Sequence, residues 1–286
     1  MAGVRIVTDS ACDLSEELAR AHGITVVPLT IRFGEEELVD RRDLTPSEFW
    51  ARCRTSADLP ETSAPAPGAF QAAYEQAAAE GADAVLCLTL SAELSATFQS
   101  ATTAAAATSG IEVAVLDTRS VTMGQGLLAI TAADASAGGA ALSEVRALTE
   151  AAVPRTRVYG TLATLDHLVR GGRVGKARAL LGSMLSIKPV IEVRNGVVDE
   201  ESKQRTRSRS LEYLASKAKG DAPLERLAVA SGEADDVGVL LELLSGVEVA
   251  HPLEVVQLGP VVGTHAGPGT VGVCYQLGSH SGTHDG

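Results

Sequence analysis

A histidine set among three glycines and a proline, GTHAGPG over residues 263–269, is the first stretch of this chain with a chemical use in view. Glycine lets the backbone approach a bound molecule or take positive φ, and His265 can present a ring nitrogen there. A tight turn between strands would need the same glycines without any ligand. Three further segments are dense in hydroxyl groups and follow strand-like runs: TDSACD (8–13), PETSAPAPGAF (60–70) and SAELSATFQSA (91–101). The prolines of the second hold Thr62 and Ser63 on a stiff extended segment ahead of a helix beginning near Pro67. The third leads from strand to helix, with Ser95 near the helix start. Ligands of a parallel sheet bind beyond the carboxyl ends of its strands, where helix N-termini offer free N–H groups. Thr62 and Ser95 are therefore expected close together and close to an anion, although the same residues also suit ordinary helix caps.

Other candidates carry less. His22 precedes a glycine at a helix end, His251 lies in a strand run, and His280 and His284 belong to the tail. GGRVGK (171–176) lacks the spacing of a phosphate loop, and Lys176 is followed by Ala177. Ser95 or Ser10 with His265 and Asp9 or Asp117 would make a hydrolytic triad, but no GxSxG elbow is present. Cys12, Cys53, Cys87 and Cys274 are far apart and form no CxxC, so neither a metal site nor a disulfide is expected.

The elements that must position these groups alternate. GVRIVT (3–8), ITVVPLTIRF (24–33, ending in a Gly-Glu turn), DAVLCLTL (83–90) and IEVAVLDT (111–118) read as strands. Helical runs occupy about 15–21 and 46–54, the latter behind a capping Thr, and alanine-rich stretches precede the last two strands. That alternation predicts a parallel, doubly wound sheet over roughly 1–150. Beyond Pro154 the texture changes. VYGTLAT (158–164), IKPVIEV (187–193), VVDEESK (197–203), LERLAVASG (224–232) and VEVAHPLEVVQL (247–258) are strand-like, with a helix around 235–245 and a hairpin signal at Asn195-Gly196. The expected organisation is an N-terminal domain over 1–153, a mostly antiparallel α/β domain over 154–279, and a polar disordered tail over 280–286.

Of the 286 residues, 45% are hydrophobic and 3% aromatic, so the core is aliphatic. The opening MAGVRIVTDS enters a strand-like pattern without a signal-peptide layout, and no apolar run spans a membrane, so a soluble cytoplasmic protein is expected. A net charge of -12 argues against nucleic-acid binding. Yet 155–209 holds 12 basic and 5 acidic residues, either a solvated face or a docking patch for an acidic partner.

Taken together, TDSACDL, ETSAPAPGAF, LSAELSATFQSA, LDHLVRGGRVGK, LSIKPVIEV and GPVVGTHAGPGTVG occur in the order and spacing of the DegV family, which the chain resembles over nearly its whole length. That family comprises bacterial fatty-acid-binding proteins, including the acyl-carrier subunits of fatty acid kinase. The resemblance implies a two-domain α/β protein, Rossmann-like first and mostly antiparallel second, with one long-chain fatty acid buried between the domains and no cofactor, metal or catalytic residue. It implies that Thr62 and Ser95 hold the carboxylate, with Ser63 beside them and His265 in the same network. It further implies a separate ATP-binding kinase subunit as partner, Arg170 or Arg173 facing it, and acyl phosphate for phospholipid synthesis as the product. Departures from the family pattern are Ala96, Ala66 and the Val174-Gly175 pair after RGGR, none of them at a proposed carboxylate ligand.

The residue types suit such a ligand. A sixteen-carbon tail gains on the order of 10 kcal/mol by leaving water, before ordering costs. The headgroup is costly to bury unless hydrogen-bonded, and hydroxyls, a helix N-terminus and an imidazole can hold it without a salt bridge. The competing readings are a small-molecule hydrolase or phospho-accepting enzyme using Ser95 and His265, and a lipid-sensing regulatory protein.

Overall fold

The computed structural model describes residues 3–56, 59–183 and 187–278. In chain order the first part runs β1 (Val4–Asp9), α1 (Glu16–Ala21), β2 (Thr25–Val27), β3 (Thr30–Phe33), β4 (Glu36–Val39), α2 (Pro46–Thr55) and β5 (Glu61–Ser63). Then come α3 (Pro67–Ala79), β6 (Ala84–Thr89), α4 (Thr97–Ala107), β7 (Glu112–Asp117), α5 (Met123–Ala137) and α6 (Leu142–Ala152). Four of these strands form a parallel sheet in the order β2-β1-β6-β7. Such strands are apolar throughout because both faces are covered. Val7, Val85 and Cys87 pack on Phe70, Tyr74 and Ala101 of α3 and α4, while Ile6, Leu86 and Leu88 face the core that holds α5.

The single strand expected over 24–33 is two. Pro28 has no N–H to give a ladder, and the chain on either side of it pairs in different sheets: β2 with β1, and β3 with β4 and β5. The resulting three-stranded sheet, β4-β3-β5, sets Thr62 opposite Ile31. α2 begins with a capping box in which Thr45 and Glu48 satisfy each other's backbone N–H.

The second part runs β8 (Thr156–Thr161), α7 (Asp166–Arg170), a 3-10 stretch (Gly175–Ser183), β9 (Lys188–Arg194), β10 (Val197–Gln204) and α8 (Arg207–Gly220). β11 (Leu224–Gly232), α9 (Val237–Leu243), β12 (Glu254–Gln257), α10 (Pro260–Ala266) and β13 (Thr270–Leu277) complete it. Its six strands are ordered β10-β9-β8-β13-β11-β12, antiparallel except for β11 with β12. Asn195 and Gly196 join β9 to β10 with φ of 53° and 86°, the positive pair that a two-residue hairpin requires. The strand expected over 247–258 is confined to 254–257, behind Pro252. GTHAGPG, expected as a loop, is helical as far as Ala266, and only Gly267 and Gly269 take positive φ. The architecture is thus mixed α/β, a parallel sheet followed by a mostly antiparallel one, as the sequence reading expected.

One face of the six-stranded sheet carries Tyr159, Val229, Val271 and Val273 under α8 and α9. The other carries Val158, Ala228, Ala230 and Cys274, which share a continuous core with Ile6, Leu88 and the mostly buried α5. No described helix is long and apolar enough to cross a membrane. The tail 280–286, with His280 and His284, lies outside the described residues, as do Leu185 and Ser186 of LSIKPVIEV.

Candidate functional site

A cavity of about 220 Å³ lies against the inner face of the six-stranded sheet, lined on its other side by loops of the first part. An engineered apolar hole of roughly 150 Å³ already accepts benzene, so this space is large enough for a ligand. Leu29, Leu90, Val158, Ile191, Leu258 and Val262 are among its walls, while Thr62, Ser95, Arg173 and His265 supply polar groups.

Thr62 sits on β5, and its Oγ1 lies 2.9 Å from His265 Nε2 on the last turn of α10. That bond joins residues 203 positions apart. His265 Nδ1 is buried without a hydrogen-bond partner. Burial first, then the positive charge of Arg173 and the neighbouring His167, push the His265 pKa down to about 4, so the ring is neutral at physiological pH. Gly171, just past the end of α7, backs the ring: a Cβ there would stand 2.8 Å from His265 Cε1 and closer still to Nδ1.

Ser95 precedes α4. Its hydroxyl lies 2.9 Å from Thr97 Oγ1 and accepts from Thr97 N–H at 3.3 Å. Ala96 occupies the cap position with no side-chain cap bond, so the positive end of the α4 dipole is left beside Ser95. Ser63 does not join the cluster. Side chains alternate along a strand, and Ser63, exposed and absent from the cavity lining, lies on the opposite face of β5 from Thr62.

The two arginines of RGGR part company. Arg170 is exposed at the end of α7. Arg173 turns inward, where it lines the cavity, donating from Nε to Leu94 O at 3.1 Å and from Nη1 to Gly171 O. A guanidinium thus stands at the cavity wall beside the uncharged donors, with two of its N–H groups engaged by the carbonyls next to Ser95 and behind His265. The sequence offered RGGR as a signal but not its direction.

The triad imagined from the sequence is not assembled. Among the described residues no hydrogen bond links Ser95 or Ser10 to His265. Ser10 Oγ accepts from Leu29 N–H, Asp9 accepts from Ala11 and Leu90 N–H, and Asp117 accepts from Ala92 and Arg119 N–H. The TDSACD loop instead braces the site. Asp13 Oδ1 accepts the Gly259 N–H at 2.9 Å and so holds the start of the helix that carries His265.

Burial, the main cause, pushes the Asp13 pKa up to about 7 against the pull of Thr122, Gly259 and Arg41. Folded protein then holds a proton that the unfolded chain releases near pH 4, so this group's contribution to stability falls as pH rises from about 4 to about 7. Asp13→Asn keeps the acceptor and removes that penalty. The variant is expected to gain on the order of 1 kcal/mol or more over the parent at pH 8, and less at pH 5. Melting curves at the two pH values check this, and a gain no larger at pH 8 would contradict it.

The chain's relatives are consistent in kind. A family model described as "Uncharacterised protein, DegV family" matches residues 3–277. A DegV domain-containing protein of Streptomyces coelicolor is 35% identical over 94% of this chain and 97% of its own. Among solved structures, one described as fatty acid binding of a DegV family protein from Thermus thermophilus superposes with a TM-score of 0.87 at 35% identity, covering 96% of this chain and 100% of that one. DegV of Bacillus subtilis, described as a fatty acid binding protein, gives 0.85 at 30% identity, covering 97% and 100%.

Proposed function

This chain belongs to the DegV family, and from that membership we propose that it binds one long-chain fatty acid in the cavity against the six-stranded sheet. Thr62, Ser95 and His265 hold the carboxylate, and the aliphatic walls take the tail. The observation that carries this reading is the meeting of Thr62 and His265 at 2.9 Å on the lining of a mainly aliphatic cavity that also includes Ser95 and Arg173. The relatives described as fatty acid binding support it.

The chemistry is that of an anion held by hydrogen bonds. The Thr62 and Ser95 hydroxyls donate to the oxygens, and the neutral His265 ring orients Thr62 by donating its Nε2–H to the Thr62 hydroxyl. The N-terminal end of α4 contributes its dipole, and Arg173 offsets the charge from a position already fixed by two carbonyls. Such a carboxylate stays a usable nucleophile. The protein is therefore read as a carrier and not an enzyme, presenting its ligand in the cytoplasm to an ATP-binding kinase subunit that forms the acyl phosphate used in phospholipid metabolism. Arg170, exposed at the end of α7, is the docking residue of this scheme.

Lipid extracted from the native protein should be a long-chain fatty acid by mass spectrometry. Thr62→Val and Ser95→Ala, each removing one hydrogen bond to a charged group worth about 1.5–3 kcal/mol, should weaken binding roughly tenfold or more. An extract without fatty acid, together with no measurable binding of added fatty acid, overturns the reading. The kinase step is checked separately: Arg170→Ala should lower acyl phosphate formation with a kinase subunit and leave fatty-acid affinity unchanged.

A further inference from the structure

The sheet side of the cavity contains a cross-strand row whose two middle positions are glycine. Ile191 of β9 stands opposite Gly160 of β8, Gly160 opposite Gly272 of β13, and Gly272 opposite Ala230 of β11, and all four line the cavity. One step along the strands lies a ridge of Val158 and Cys274, themselves cross-strand partners, and on the other side lie Leu162 and Thr270, all four again on the lining. The row is therefore the floor of a groove at right angles to the strands. Resting on the reading of this cavity as a fatty-acid site, we infer that the acyl tail crosses the sheet along Gly160, Gly272 and Ala230, and that Gly160 sets how long a chain the protein accepts.

The dimensions agree. Four strands spaced about 4.8 Å apart span about 14 Å. An extended chain advancing ~1.25 Å per carbon–carbon bond covers that distance with about a dozen carbons. The two glycines differ in what they tolerate. A Cβ on Gly272 would come 2.9 Å from Tyr159 O, so the ladder itself demands glycine there. A Cβ on Gly160 would meet only Val271 O at 3.7 Å and Ile191 Cγ1 at 3.9 Å, ordinary contacts, and otherwise open space. The fold thus has room for a side chain at 160. What a side chain would occupy is the groove.

Affinities of the parent, Gly160→Ala and Ile191→Ala for saturated fatty acids of increasing length test the inference. Gly160→Ala should lose roughly tenfold or more for the longest acids the parent binds and keep its affinity for shorter ones. Ile191→Ala, which lengthens the groove at its end, should shift preference toward longer chains, and it decides the matter if Gly160→Ala folds poorly by circular dichroism. A well-folded Gly160→Ala whose affinities are unchanged, or lowered equally at every length, overturns the groove while leaving the fatty-acid reading intact. A parent that binds no fatty acid overturns both.

Discussion

Alanine at position 171 is expected to remove most of the affinity for fatty acid and to leave the fold standing. Gly171 has φ of -72°, a conformation any residue adopts, so the substitution adds no backbone strain. Its only effect is the new methyl group, which would sit 2.8 Å from His265 Cε1 and 3.1 Å from His167 O. Carbon atoms rest about 3.5–4 Å apart, so the imidazole has to swing away. It cannot swing and keep the 2.9 Å bond to Thr62. Loss of an aligned donor to a carboxylate is worth about 1.5–3 kcal/mol, or roughly 10–100-fold in affinity. The neighbouring Gly172 is the control. It has φ of +71° and open space around a Cβ, so Gly172→Ala should lower the melting temperature through strain while affinity is retained. Equal affinities for the parent and Gly171→Ala would show that the ring position does not matter.

Trp50→Ala should be the most destabilising single change, at about 4 kcal/mol, or roughly 10 °C in melting temperature. The indole is 1% exposed and packs edge-on to Phe49 at 5.0 Å. Its Nε1 donates to Leu258 O at 2.9 Å. Its six-membered ring lies against Gly232 at the end of β11 and Gly263 within α10, where Cβ atoms would approach to 3.0 and 2.8 Å. One side chain of α2 therefore seats both the end of a sheet strand and the helix bearing His265. Truncation opens a large cavity and strands the Leu258 carbonyl, so affinity should fall along with stability. A loss below about 1 kcal/mol in denaturant titration would mean the site collapses around the gap.

Much of this was legible in residue patterns, and the failures have identifiable causes. AVLCLT reads as a strand because both faces of a parallel strand are buried, and Thr45 announces α2 because a side-chain cap is a local interaction. The run 24–33 misleads because apolar character continues through Pro28 while pairing does not. GTHAGPG misleads in another way: its glycines suggest a turn, whereas Gly263 is small because Trp50 presses on it. At the site, His265, Thr62 and Ser95 stand out by type and setting, but their meeting depends on sheet register and helix placement that no spacing encodes. Ser63 was separable from Thr62 in principle, since a three-residue strand turns neighbours to opposite faces. The inward turn of Arg173 was not, because it depends on the Leu94 and Gly171 carbonyls. Gly160 and Gly272 carry no signal in the sequence, since only the ladder sets them side by side.

Because one core runs from Ile6 through α5 to Cys274, the parallel and six-stranded sheets are expected to unfold together. Separating them would expose the inner surface of each to water, so neither is equipped to persist alone. Anything that loosens α5 then dissolves the binding chamber and the scaffold in the same event, and retained ligand becomes a direct report on the integrity of the whole molecule.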